Sequence, residues 1–218
     1  MRFLRTLLFL LAFWVQNPAF GQVAVELGKM NAVYAGLDNP VRIVVNDVPD
    51  SCLLVVPSRG KVVRSRYTPG LYNWNIGLRD TAVVSLTLFD TTKNERIGTY
   101  FFRYKLLPEP VARLGAAHRS KTMSRGEFCA QGGVAMILEN FDFDARVEVV
   151  HYEVVVFSKK YGSTWAGRNT GGRFNADVAE HIHRVIPGDW VLIQKIVYRM
   201  PGAAEPQHSG QELFFLIK

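Results

Sequence analysis

Val83-Val84-Ser85-Leu86-Thr87-Leu88-Phe89-Asp90 alternates apolar and polar side chains with a period of two residues. Successive side chains of a strand point to opposite faces, so Val84, Leu86 and Leu88 share one face and Ser85 and Thr87 the other. Outward from this segment the same period recurs. Ile97 to Lys105 reads as a strand with Tyr100, Phe102 and Tyr104 on one side. Val41 to Val45, Cys52 to Val56, Val62 to Arg66 and Tyr72 to Leu78 read as further short strands. Turn signals separate them at Asp38-Asn39-Pro40, Asp47 to Asp50, Ser58-Arg59-Gly60, Thr68-Pro69-Gly70, Asp80 and Asp90-Thr91-Thr92. About seven short strands at roughly ten-residue spacing, with no helical period, predict an immunoglobulin-like β-sandwich over 22–107.

Leu107-Pro108-Glu109-Pro110 interrupts the pattern. Two prolines so close together cannot sit in a central strand, and they stiffen what they join, so a domain boundary is placed there. Residues 108–218 mix elements. Ser124-Arg125-Gly126-Glu127 has capping-box spacing, and Gly132-Gly133 stops the short helix it opens. Val134 to Glu139 and Val147 to Phe157 read as strands, the second with Val150, Tyr152, Val154 and Val156 on one face. A glycine-rich loop, Tyr161 to Arg173, leads to Asn175 as N-cap of a helix over Ala176 to Ile186. Its Val178, Ile182, Val185 and Ile186 form an apolar stripe. Trp190 to Tyr198 and Leu213 to Ile217 close the chain as strands, joined by the polar segment Met200 to Gln211. The fold class is therefore mainly β: a sandwich followed by a β-rich α+β domain with two short helices.

Arg2 and Arg5 precede an almost wholly apolar run from Phe3 to Val15, broken by Asn17-Pro18 and followed by Ala19-Phe20-Gly21. This is the pattern of a cleaved secretory signal over 1–21, too short to span a bilayer comfortably, and it predicts a periplasmic or secreted chain. The formal charge of +7 sits mostly in the first half. Residues 22–107 carry 11 Lys/Arg against 7 Asp/Glu, and residues 108–218 carry 13 against 12. An excess this small does not argue for nucleic-acid binding. Cys52 and Cys129 are the only cysteines and fall in different domains, so two separate thiols are expected.

Candidate chemistry is sparse. His181-Ile182-His183 suggests a metal pair, but two positions on a helix turn about 200°, so the rings diverge and solvated flank histidines are expected. His151 and Glu153 share the strand face opposite the apolar one and could serve as an acid/base pair, or simply face water. Asn140, Asp142 and Asp144 alternate with Phe141 and Phe143 as a calcium ledge would, without the glycine and terminal glutamate of a calcium loop. Cys129 has no local base to make it a nucleophile. Gly162-Ser163-Thr164-Trp165-Ala166-Gly167-Arg168 lacks the ending of a phosphate loop, but Trp165 and Arg168 are of the kind that anchor interfaces. They are the expected partner-binding residues. Arg64 and Arg66, on one strand face, form a basic stripe or protect a sheet edge. No catalytic, cofactor or metal residue is assigned.

Lys29-Met30-Asn31-Ala32-Val33-Tyr34-Ala35-Gly36-Leu37-Asp38-Asn39-Pro40-Val41 resembles the opening of a periplasmic β-domain of the gliding-motility family GldM, called PorM in its secretion-only relatives. Phe102-Arg103-Tyr104-Lys105 with Pro108-Glu109-Pro110-Val111-Ala112 is similar to the junction into its C-terminal domain. Met123-Ser124, Gln131-Gly132-Gly133-Val134 and Glu139-Asn140-Phe141-Asp142-Phe143-Asp144 look like the start of that domain. Ser163 to Phe174 and Ile186-Pro187-Gly188-Asp189 fit its later loops. The resemblance implies a non-enzymatic, cofactor-free role in the type IX secretion and gliding machinery of Bacteroidota. There the family spans the periplasm as a dimer between an inner-membrane motor and an outer-membrane ring. A cleavable leader in place of the family's membrane helix implies an accessory scaffold that does not itself transmit motor force.

The expectation is thus a protein-binding scaffold whose partners are outer-membrane-side secretion or gliding components and a second copy of itself. Two rivals make different demands. An envelope enzyme needs a concave site gathering His151, Glu153 or Cys129 with another titratable group. A secreted carbohydrate-binding module needs Tyr72, Trp74 and Trp165 exposed and coplanar.

Overall fold

A computed structural model describes residues 23–27, 31–77, 83–115, 119, 121–141, 143 and 145–218. The leader over 1–21, the end of the expected strand at Leu78, the turn at Asp80, and Asp142 and Asp144 lie outside the described residues.

Two four-stranded sheets make the first half. One contains β1 (Val23–Leu27), β3 (Asp38–Val45), β6 (Leu71–Asn75) and β5 (Lys61–Arg64), in the order β1-β3-β6-β5. The other contains β2 (Ala32–Tyr34), β8 (Glu95–Lys105), β7 (Val83–Asp90) and β4 (Leu53–Pro57), in the order β2-β8-β7-β4. Within them only β2 against β8 is a parallel pair. The period-two residues meet between the sheets. Val84, Leu86, Leu88, Phe102 and Tyr104 pack against Val41, Ile43, Tyr72 and Trp74, all buried.

Two details differ from the expectation. Asp38-Asn39-Pro40 opens β3 instead of turning. Proline is tolerated near the start of the strand, where β6 lies on one side and, among the described residues, β1 pairs with β3 from Val41 onward. Asn39 is buried and binds the turn before it: its amide donates to Tyr34 O, Leu37 O and Trp74 O and accepts from Tyr34 N. Cys52 ends a short 3-10 turn, Asp50–Cys52, and is not in a strand.

The second half holds β9 (Val111–Leu114) paired with β11 (Val134–Ile137), and a larger sheet. That sheet contains β10 (Lys121–Met123), β12 (Glu148–Ser158), β13 (Ser163–Thr170), β14 (Trp190–Arg199), β15 (Gln207–His208) and β16 (Leu213–Ile217). Its order is β10-β16-β14-β12-β13, with β15 also on β14. Helices α1 (Arg125–Cys129) and α2 (Ala176–Arg184) lie on one side of it, where Phe128, Val178 and Ile182 join Tyr152, Val154, Ile193 and Phe215 in one core. Both caps form as their sequences predict. Ser124 Oγ accepts from Glu127 N at 3.2 Å, and Asn175 Oδ1 accepts from Val178 N at 2.9 Å. Arg125 then donates to Val185 O and His183 O, satisfying carbonyls that the end of α2 leaves open.

Two further differences concern β12 and its hairpin partner. Register shifts around His151 bring Val149 to the buried side along with Tyr152, so Val150 leaves the expected face. Tyr161 to Arg173 is not a loop, since eight of its residues form β13, paired with β12 along their whole length.

The halves meet on a small apolar contact. Tyr34 packs on Phe141 and Phe143, with ring centroids 5.0 and 4.8 Å away, and Leu107 and Ala145 close it. Gly36 has φ +75, and a Cβ there would sit 2.1 Å from Pro201 O, so the two backbones approach as only glycine allows.

Candidate functional site

Trp165 and Arg168 lie three positions apart on β13 and therefore on opposite faces of the sheet. Trp165 turns toward α2. Its ring stacks on His181 at 3.8 Å with 8° between planes, and it covers Gly167, where a Cβ would lie 2.4 Å from its Cζ2. His181 is thus half-buried against an aromatic ring, with Nδ1 2.9 Å from Asp177 O, and is not the solvated flank histidine expected. His183 is exposed. Among the described residues no group of three His, Cys, Asp or Glu could hold a metal.

Arg168 faces the other way, opposite Glu153. There the sheet and the segment 209–212 enclose a recess of about 370 Å³, lined by His151, Glu153, Arg168, Lys195, His208 and Glu212 among others. His151 and Glu153 do share this face, as the alternation predicts. Lys195 joins them because its positive φ of 52 breaks the regular strand and swings the side chain outward. Glu153 Oε2 accepts from Lys195 Nζ at 2.8 Å and from Gln194 Nε2 at 3.4 Å. Lys195 above all holds this carboxyl below the usual glutamate range, so it stays ionised.

His151 is different. Its Nδ1 is buried and has no hydrogen-bond partner among the described residues. Burial first, then the charges of Arg168 and His208, push the imidazole below its ordinary value, against the opposing pull of Glu153. A neutral imidazole beside a tied carboxylate can accept a hydrogen bond or a proton from something in the recess. The nearby hydroxyl of Ser209 accepts from Gln211 N at 3.1 Å.

The remaining candidates are scattered. Cys129 lies on the helix side and donates to Ile182 O at 3.3 Å; both cysteines are free thiols. Asn140 sits in a turn with φ 54, and its neighbours Phe141 and Phe143 serve the contact between the halves. Arg64 and Arg66 form no stripe: β5 ends at Arg64, which donates to Asp50 O at 2.7 Å, while Arg66 lies beyond the strand. Tyr72 and Trp74 are 3% and 0% exposed and cannot make a sugar-binding platform with Trp165, so that rival fails. Burial raises the Tyr72 hydroxyl pKa, and its hydrogen bond to Asp50 adds to the effect.

Sequence reasoning missed Lys195, His208 and Glu212 because a bulge and a loop, not a period, bring them to the recess. It also missed three large apolar residues on the same side of the sheet, Phe157, Trp190 and Phe214, each at least 38% exposed. Alternation was signal enough for these. Among the described residues no helix is long and apolar enough to cross a membrane.

Comparison with known proteins gives one family. The model of the GldM C-terminal domain matches residues 108–209. No curated protein matches the chain. Among solved structures, one similar chain is the three N-terminal domains of the bacteriophage RB49 Highly Immunogenic Outer Capsid protein (Hoc). It is 9% identical, with 90% of this chain and 70% of that one covered and a TM-score of 0.25.

Proposed function

We propose that the chain, whose residues 108–209 match the GldM C-terminal domain, is a non-enzymatic protein-binding scaffold of the cell envelope, accessory to the type IX secretion or gliding machinery. The family match is the observation that carries this reading. The leader over 1–21 exports the chain to the periplasm. Two units divide at 107/108, an immunoglobulin-like sandwich and the GldM-like domain. The partners are outer-membrane-side components of the machinery, and a second copy of the chain. Arg168 and Trp165 contact partners from the two sides of β13, each within reach of a different surface. Crosslinking with mass spectrometry in native envelopes tests the reading. Crosslinks from 108–218 to outer-membrane ring components are expected, and their absence from a well-crosslinked sample refutes it.

The recess around His151 favours a second reading, an envelope enzyme acting on peptide or glycan, because it gathers titratable side chains from several strands. Hydrolysis of envelope peptide or glycan fragments by the full chain, abolished by His151→Ala, would replace the scaffold reading with this one.

A further inference from the structure

The side of the large sheet turned away from α2 carries an ordered apolar grid. Phe157 stands opposite Trp190, and Trp190 opposite Leu216. One step along the strands, Val155, Leu192 and Phe214 form a second row. Strand alternation points all six away from the core, since their neighbours Val154, Val156, Val191, Ile193, Phe215 and Ile217 are the buried ones. Phe157, Trp190 and Phe214 are 42%, 45% and 38% exposed, and the rings of Trp190 and Phe214 meet edge to face at 4.9 Å. A water-facing strand face ordinarily carries polar residues. Here two adjacent rows across three strands are apolar, which is a patch and not scattered exposure.

Charge brackets the grid. The third row is Arg168, Glu153 and Gln194, which opens into the recess. Among the described residues Arg168 is exposed and makes no hydrogen bond or ion pair through its guanidinium. At the other end Lys159 and Lys160 are exposed in the hairpin turn. A Cβ on Gly188, two residues before Trp190, would lie 3.4 Å from Lys159 Cδ. Against these cations the face offers two carboxylates, Glu153, held by Lys195, and Glu212. The turn end is positive through Lys159 and Lys160, and at the recess end Arg168 is the exposed cation, with Lys195 tied to Glu153 and Glu212 the remaining carboxylate.

We propose that this face docks an amphipathic, acidic segment of a partner protein. Its apolar side chains cover Trp190, Phe157 and Phe214, and its carboxylates reach Arg168 at one end and Lys159 at the other. From the Phe157 row to the Arg168 row is about 13 Å, the length of four extended residues or about nine helical ones. An anionic membrane fits less well, because Glu153 and Glu212 would be pressed against its headgroups. The proposal rests on the scaffold reading and adds the occupant's chemistry to it.

The test is a random-peptide display library panned against the full chain, with selected peptides resynthesised and their affinities measured. Enriched peptides combine large apolar residues with Asp or Glu. Trp190→Ala and Phe214→Ser each weaken them about 10- to 30-fold, as truncated interface anchors do. Arg168→Glu with Lys159→Glu weakens them at low salt and less at high salt. All four positions are on the surface, and circular dichroism melts check that each variant folds; the charge pair decides if an apolar variant does not. No selected binder, selection of basic peptides, or affinity indifferent to these changes overturns the proposal. So does binding to mixed phosphatidylcholine and phosphatidylglycerol vesicles that Trp190→Ala abolishes, which assigns the face to a membrane. A dimer in sedimentation that Trp190→Ala dissociates assigns it to a second copy and overturns the proposal equally. Panning uses no secretion component, so its failure leaves the scaffold reading standing, and failed envelope crosslinking leaves the face standing.

Discussion

Asn169 has no solvent exposure and sits one residue before the end of β13, where the chain must leave the sheet for α2. Its Nδ2 donates to Gly171 O and Arg173 O, both at 2.8 Å, and its Oδ1 accepts from Asn175 N at 2.7 Å. Asn175 in turn caps α2 and donates to Arg168 O at 3.1 Å. One buried amide therefore ties the strand that bears Arg168 to the start of the helix that bears His181. In Asn169→Ala these three partners lose their bonds in a dry place. At about 1 kcal/mol for each bond the loss is about 3 kcal/mol. For a chain of this size that lowers the unfolding midpoint by roughly 6–12 °C. Urea unfolding followed by circular dichroism should show a lower midpoint at unchanged slope. A loss below about 0.5 kcal/mol, the size of an ordinary surface change, would refute the argument.

A second substitution separates lost bonds from lost volume. Asn169→Asp keeps the shape and the acceptor facing Asn175 N, but sets an oxygen against two carbonyl oxygens. The ionised form is disfavoured there, so the new carboxyl's folded pKa lies above its unfolded value. Relative to the parent, the variant is at its best below about pH 4, where the carboxyl is protonated in both states. It then loses stability as pH rises toward the folded value. A pH-independent difference between the two proteins contradicts the geometry.

Three further outcomes rest on single residues. Trp74 is fully buried, packs edge-on against Phe102 and donates to Arg59 O at 2.9 Å, so Trp74→Ala should cost about 4 kcal/mol in denaturant unfolding. Gly36→Ala strains a backbone with φ +75 and drives a Cβ into Pro201 O. Limited proteolysis at 106–110 should quicken, and unchanged cleavage would show that the two halves are not held there. His151 binds its proton more weakly when folded than when unfolded, so its contribution is present at neutral pH and is lost as pH falls below its unfolded value of about 6.5. The stability drop between about pH 7 and 5 should be smaller in His151→Gln, and superimposed curves would contradict the burial argument.

The sandwich was legible because one physical rule governs it. Val84, Leu86 and Leu88 obey period two, and the residues they pack on obey it too. The helix caps were legible for a similar reason: Ser124 and Asn175 act on backbone amides within three residues, so no distant information is needed. Long-range devices were not legible. Asn39 reads as a turn signal, yet one of its bonds reaches Trp74, 35 residues on. Lys195 reads as an inward or outward strand residue depending on a bulge that the local sequence does not announce. The recess depends on that bulge and on a loop closing over the sheet from 209–212.

The instructive failure is β13. Glycines at 162, 167, 171 and 172 lower strand propensity, and read together they spell a loop. Gly167 is a strand glycine for a local reason, because the ring of Trp165 lies over it where a side chain would collide. A tryptophan two residues before a glycine is thus as consistent with a covered strand as with a mobile tip. The choice carries consequences beyond one element. As a loop, 161–173 lets Trp165 and Arg168 form one patch. As a strand, it puts them on opposite faces and gives Arg168 to the side that Glu153, Val155 and Phe157 share. Once β13 is set beside β12, the alternation in β12, β14 and β16 divides the outer face into an apolar grid and a charged end. The surface argued to dock a partner is therefore a consequence of one strand assignment and of the same two-residue period that builds the sandwich.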